Sequence, residues 1–290
     1  MLKESKIVNV LISCGEIKEK KKKKAKSLWG NFFSFTPMEN QDANAIHKTL
    51  ALLAEKINYL TDVPTDSLYI TSNADVDTFL KKFESMENLK EVIFFPLFPQ
   101  FSYAITGKIA NLLFQRMPPL LSQKSYWIKS YSHNLGFVKP WQKNIQKSLN
   151  SLMWKEEDTA FIFFAKNIPH RENEDLFLYE CLLAKRKILK KFPYALGRFT
   201  NLNEITSSIE KCTNNRKRLL FIPISYLFDE EIPFHEINPI FLALQKKGFT
   251  SQLCPSLNLN YEWIHSICNL LEEGNVMNTR MLIPPKHPIG

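Results

Sequence analysis

The feature that most limits what this chain can fold into is an alternation of short apolar runs with longer segments of helical periodicity, and it occurs twice. The apolar runs 7–13, 67–71, 91–95 and 126–131 read as strands, and the segments 43–60, 76–86 and 103–116 read as helices between them. Ile46, Leu50, Leu53, Ile57 and Leu60 recur at the three- and four-residue spacing that gathers side chains on one helix face. After residue 137 the pattern starts again. A helix over 141–153 precedes a buried strand over 159–165 that carries Phe161-Ile162-Phe163-Phe164. Helices over 175–191, 205–211 and 239–248 then alternate with strands over 194–199, 218–224 and 250–254, and a helix over 261–273 closes the chain. Gly248 is placed to end its helix in the left-handed conformation. Strands alternating with helices build parallel βαβ sheets. Two rounds predict an α/β protein of two Rossmann-like domains, residues 1–137 and 138–255, whose parallel sheets face a central cleft, with residues 256–290 as a closing helix and tail. In open α/β sheets ligands bind beyond the carboxyl ends of the strands, so chemistry is expected in the residues just after each strand.

Composition narrows the classes of function. With 290 residues, 44% hydrophobic and 23% charged, the chain can bury two apolar cores as a folded soluble protein. It has only 8 glycines and neither a GxGxxG nor a Walker A pattern, which argues against a glycine-rich phosphate cradle. The formal net charge of +9 favours an anionic partner: nucleic acid, acidic lipid head groups or a small molecule bearing carboxylates. Part of that charge is the run Lys20 to Lys24, with Lys18 and Lys26 beside it. The run reads as a solvated loop. A nucleic-acid arm would call for interleaved aromatics or a known binding motif, so no nucleic-acid partner is expected. Cys14, Cys181, Cys212, Cys254 and Cys268 form no CxxC pair. That scatter predicts free thiols in a reducing compartment, with no zinc site and no iron–sulfur cluster. The apolar run 7–13 is short for a signal-peptide core, and nothing reaches the length of a membrane span. A cytoplasmic protein is expected, with peripheral membrane contact left open.

Four of the segments after strands carry a resemblance. Phe95-Pro96-Leu97-Phe98-Pro99-Gln100-Phe101-Ser102, followed by Thr106-Gly107, is similar to the element PLYPQYS…TTG. Ile128-Lys129-Ser130-Tyr131-Ser132-His133-Asn134-Leu135-Gly136-Phe137 is similar to I-x-S-Y-H-D-H-P-G-Y. Phe221-Ile222-Pro223-Ile224-Ser225, with Asp229 and Glu236-Ile237, is similar to VPISF…D-H-x-E-T-L-x-E-I. Pro255-Ser256-Leu257-Asn258, then Trp263-Ile264, is similar to PCLN…FI. These segments occur in the order, and at the spacing, of the ferrochelatases, which insert ferrous iron into a porphyrin. The resemblance implies the chelatase-like fold: two Rossmann-like domains around a porphyrin cleft, with the C-terminal helix packing back. It implies protoporphyrin or coproporphyrin and ferrous iron as substrates, with no further cofactor required. A basic cleft would attract the porphyrin propionates. Oligomeric state is not implied.

The chain departs from the family pattern at the chemistry. The family's S-A-H-x-x-P segment reads Phe164-Ala165-Lys166-Asn167-Ile168-Pro169, so Lys166 stands in place of the histidine assigned to pyrrole protons or metal. An imidazole exchanges a proton near neutral pH, whereas a lysine does so only when burial lowers its pKa. An exposed ammonium would instead bind a propionate. His170, four residues on, is the other candidate for the lost imidazole, or a loop histidine without a role. In the acidic element, aligned without a gap, Asp229 and Glu236 are kept, Glu230 replaces the histidine and Ile232 replaces the first glutamate, with Glu231 and His235 close by. Asp229, Glu230 and Glu236 form either a carboxylate path for ferrous iron or an ordinary acidic first helical turn. The resemblance places the porphyrin among Cys14, Phe98, Ser132, His133 and Arg198, with Ser132 replacing the histidine that comes after Ser-Tyr. Trp29, Phe32, Phe33 and Phe35 read either as a residual apolar lip or as packed core.

Overall fold

The computed structural model describes residues 6–19, 33–36, 43–84, 86, 88–128, 130–132, 134–164, 202–213, 215–232 and 234–282. Before residue 130 lie strands β1 (Lys6–Cys14), β2 (Glu16–Glu19), β3 (Phe33–Thr36), β4 (Thr65–Ile70), β5 (Leu89–Pro96) and β6 (Ser125–Ile128). Helices α1 (Ala43–Thr61), α2 (Asn73–Glu84), α3 (Lys108–Arg116), α4 (Pro119–Gln123) and α5 (Leu135–Leu152) lie among and after them. Further along come β7 (Thr159–Phe164), α6 (Leu202–Cys212), β8 (Arg218–Pro223), α7 (Phe234–Lys246), β9 (Thr250–Leu253), α8 (Tyr261–Glu272) and β10 (Val276–Asn278). The expected helix over 175–191 and strand over 194–199 fall outside the described residues, as does the run Lys20 to Lys24.

The chain divides into two compact units, each assembled from separate stretches. One is Met1–Leu97, Phe101–Lys129 and Ile267–Gly290, and the other is Phe98–Gln100 and Ser130–Ser266. The first unit is built on a five-stranded sheet in the order β10-β6-β5-β1-β4. β4, β1, β5 and β6 run parallel, and β10 pairs antiparallel with β6 at one edge. β1 is buried without a break from Val8 to Cys14, because a central parallel strand is covered on both faces. That is why its sequence carries apolar residues at consecutive positions, Val10-Leu11-Ile12, instead of an alternation, with Asn9 and Ser13 as buried polar exceptions. Sequence order reverses between β1 and β5, so the carboxyl end of β1 at Cys14 is the switch point of this sheet. The second unit has the three-stranded parallel sheet β7-β8-β9, in which β7 is buried throughout. The α/β class with parallel sheets is thus the one the sequence predicts. Among the described residues no helix is long and apolar enough to cross a membrane.

Several boundaries depart from the sequence reading for local physical reasons. β2 and β3, unforeseen in the sequence, form an antiparallel pair flanking the lysine-rich segment. The single helix expected over 103–116 begins as a wide π turn, Tyr103–Gly107, in which Gly107 N–H donates to Ser102 O over 3.1 Å. A Cβ on Gly107 would meet Leu282 O at 2.9 Å, so a glycine is needed where these two backbones approach. Pro118-Pro119 stops α3, as its sequence indicates, and Pro119 then starts α4, since a proline at the first helical position gives up no hydrogen bond.

At the start of α2, Asp75 reaches back to the turn before it. Its Oδ2 accepts from Thr71 N and Thr71 Oγ1 at 2.8 Å and from Ser72 N at 2.7 Å. This is the reciprocal half of a capping box. Burial pushes the Asp75 carboxyl up, but the hydrogen bonds from Thr71 and Ser72 outweigh it and hold the pKa below the usual carboxylate value. Asp75→Ala is expected to cost about 1 kcal/mol near neutral pH. A depressed folded pKa stabilises above the unfolded value of about 4 and stops doing so as pH falls through the folded one. Urea unfolding of both proteins checks this: the gap between wild type and variant shrinks under strong acid.

Candidate active site

The residues after the strands come together in the second unit through their backbone and polar side chains. Pro99 O accepts from Tyr131 N at 3.1 Å and from Ser130 Oγ at 3.2 Å. Gln100, 1% exposed, donates from Nε2 to Ile224 O at 3.4 Å. Leu227 O accepts from Asn258 N at 2.8 Å. The four segments that carry the family resemblance are therefore tied to one another: Phe98–Gln100, residues 130–132, residues 224–231 and residues 255–258. Loops carry function when a rigid scaffold fixes them, and here that scaffold is partly aromatic. Tyr131, Phe137 and Trp263 pack with ring centroids 5.3 to 5.5 Å apart.

The segment after residue 130 enters α5 earlier than its sequence indicates. The helix expected from 141 begins at Leu135, with Asn134 Oδ1 capping Gly136 N at 2.7 Å and Pro140 inside it. Inside a helix Pro140 cannot donate to the carbonyl four residues back, which belongs to Gly136. Ser266 of α8 brings a hydroxyl there, its Oγ lying 2.7 Å from both Gly136 O and Glu262 O, so its one hydrogen is shared between the two carbonyls. A Cβ on Gly136 would sit 2.7 Å from that same Oγ. The glycine of this motif thus makes room for that hydroxyl.

The acidic turn sorts its carboxylates into different environments. Asp229 is half-buried and fully engaged: Oδ1 accepts from Ser256 N and Oδ2 from Asn258 Nδ2, both at 2.7 Å. Glu230 is half-buried. Glu231, 2% exposed, accepts from Leu227 N through Oε2 at 3.2 Å. Burial, with the Glu231 charge added to it, pushes the Tyr131 phenol well above its ordinary value, so Tyr131 stays protonated. Ile232, in place of the family's first glutamate, is buried. Glu236 lies in the first turn of α7 and is exposed, with its Oε1 3.7 Å from His235 Nε2.

Of the other residues singled out in the sequence, Phe98 and Ser132 are buried in the second unit, and Cys14 is buried in the first. Lys166, His170, Arg198 and His133 lie outside the described residues. Among the described residues no three of His, Cys, Asp and Glu gather to hold a metal ion. Cys14, Cys254 and Cys268 are buried, and none of the three is in a disulfide. In the sequence Asn258 and Gln100 are visible only as letters of motifs. The signal for Asn258 is its residue type, because asparagine tolerates the left-handed backbone it adopts at φ 47°.

The fold is that of the chelatases. SirB from Bacillus subtilis, solved with ferric iron, is 12% identical with a TM-score of 0.61, the alignment covering 92% of this chain and 95% of SirB. CbiX, the terminal enzyme of sirohaem biosynthesis in denitrifying bacteria, is 10% identical with a TM-score of 0.58, covering 92% and 98%. Within this class the sequence is more specific: the ferrochelatase family model matches residues 4–275, and the chain belongs to the ferrochelatase family. Ferrochelatase of Chlamydia trachomatis serovar D is 23% identical over 207 residues, 66% of this chain and 64% of that protein. The chain therefore spans less than two thirds of that relative's length. Ferrochelatase of Chlamydia caviae is 22% identical over 259 residues, 82% of this chain and 78% of that protein.

Proposed function

We propose that this protein inserts ferrous iron into a porphyrin, in haem biosynthesis. The observation that carries the reading is the convergence of the four family segments around the acidic turn at residues 229–231, in a chain whose family match runs over residues 4–275. In the reaction Fe²⁺ enters the macrocycle, forms bonds to the pyrrole nitrogens and displaces two pyrrole protons. The porphyrin brings propionates, and the net charge of +9 favours their approach. Lys166 or His170 takes up the pyrrole protons, and Arg198 and His133 contact the porphyrin together with Cys14, Phe98 and Ser132. Glu230 and Glu236 deliver the metal, since carboxylate oxygens suit ferrous iron. Asp229 stands beside them in the same acidic line.

Two substitutions favour a second reading, a relative that binds or carries a tetrapyrrole without inserting metal: Lys166 for the histidine and Ile232 for the glutamate. Anaerobic incubation of the full chain with ferrous iron and either protoporphyrin or coproporphyrin separates the two. Haem formed above the protein-free rate supports insertion. Saturable porphyrin binding with no haem supports the carrier. A chain that does neither refutes both.

A further inference from the structure

Asp229 and Asn258 are joined in both directions. Asp229 N–H donates to Asn258 Oδ1 at 2.9 Å, and Asn258 Nδ2 returns a hydrogen to Asp229 Oδ2 at 2.7 Å. The second carboxylate oxygen, Oδ1, accepts from Ser256 N at 2.7 Å. The partner loop is itself anchored, because Asn144 Nδ2 on α5 donates to Ser256 O at 3.0 Å. Each donor in this set faces an acceptor, and both oxygens of Asp229 have a partner. A carboxylate so engaged fixes the direction of the backbone just beyond it. That backbone is the turn carrying Glu230 and Glu231 and, after it, the start of α7 with Glu236.

We propose that Asp229 and Asn258 form a reciprocal clamp that positions the acidic turn for metal handling, so that Asp229 acts through geometry and not as a metal ligand. The proposal rests on the insertion reading above.

The bonding pattern provides its own test, because exchanging the two residues preserves all of it except the long bond from Asn258 Nδ2 to Ser256 O at 3.5 Å. With Asn at 229 and Asp at 258, the amide oxygen at 229 still accepts from Ser256 N, and its NH₂ donates to the carboxylate at 258. That carboxylate still accepts from the backbone N–H of residue 229. Aspartate tolerates the left-handed backbone at 258 about as well as asparagine does. Each single change breaks the set. Asp229→Asn sets an NH₂ against a donor whichever way it is turned, and Asn258→Asp brings two carboxylates face to face.

The full-length wild type, D229N, N258D and the double variant are compared by thermal melting, and by turnover and porphyrin KM in anaerobic ferrous insertion. Each single variant should melt lower and turn over roughly ten-fold more slowly with little change in KM, consistent with a coupling of about 1.4 kcal/mol. The double variant should recover both melting temperature and turnover. Melting losses that simply add in the double variant overturn the clamp. A double variant that recovers its melting temperature but stays as slow as D229N overturns the positioning role, because it shows that the negative charge is needed at residue 229. The double variant is compared directly with wild type, so a single variant that does not fold leaves the test intact. A wild type that inserts no iron overturns the insertion reading and the positioning role with it, while the melting cycle still decides the clamp.

Discussion

Trp263→Ala is expected to be the most destabilising single truncation near the site, costing about 3–5 kcal/mol. Trp263 has no exposed surface and lies at the start of α8, where Asn260 Oδ1 caps its backbone N–H at 3.3 Å. Its ring packs on Tyr131 and Phe137, with centroids 5.5 and 5.3 Å away. Removing it opens a cavity beside the segment that holds Ser132, and rigid rings around that cavity cannot collapse to fill it. A loss of that size lowers the melting temperature of a unit this large by about 10 °C. Tyr59→Ala is the control: that side chain is 84% exposed, and its loss should stay within about 0.5 kcal/mol. Urea unfolding of the two variants measures both. Equal losses would show that the aromatic cluster does not carry the packing of this unit.

The largest expected effect on activity belongs to Glu236→Gln, a loss of about two orders of magnitude in ferrous insertion. The substitution keeps the shape of the side chain and removes its charge. Glu236 is 63% exposed in the first turn of α7, so losing its charge gives up the interaction with the helix N-terminus, worth less than about 1 kcal/mol, and an exposed contact with His235. Stability and activity should therefore separate: a melting temperature close to wild type, porphyrin binding retained and insertion slowed. Glu231 should respond differently, since it is buried and accepts from Leu227 N. A Glu236→Gln protein with wild-type turnover would remove this carboxylate from the path of the metal.

How much of this is legible in the sequence depends on whether the signal is local. β1, β7 and β8 are readable because burial on both faces puts apolar residues at consecutive positions: Val10-Leu11-Ile12, Phe161-Ile162-Phe163-Phe164 and Leu219-Leu220-Phe221-Ile222. The sequence reading starts this helix at 141, six residues late, because Pro140 lies inside α5 and the hydroxyl beside the carbonyl it cannot serve, on Ser266, lies far along the chain. The acidic turn shows the same limit more sharply. In the sequence Asp229, Glu230 and Glu231 are adjacent acidic residues whose burial and partners cannot be told apart. In the fold Asp229 is clamped, Glu231 is buried and Glu236 faces solvent. Those environments are set by Asn258, Ser256 and Tyr131, which periodicity does not connect to the turn. The motifs identify the loops that meet, but not the bonds by which they meet.

The most direct test of the proposed activity is the initial rate at which the full chain forms haem from ferrous iron and a porphyrin in the absence of oxygen, measured against protein-free and iron-free controls. A rate that depends on protein and iron, and that saturates with porphyrin, is the expected result. Saturable porphyrin binding with haem formation no faster than the protein-free control would contradict it and would leave a tetrapyrrole carrier built on the ferrochelatase fold.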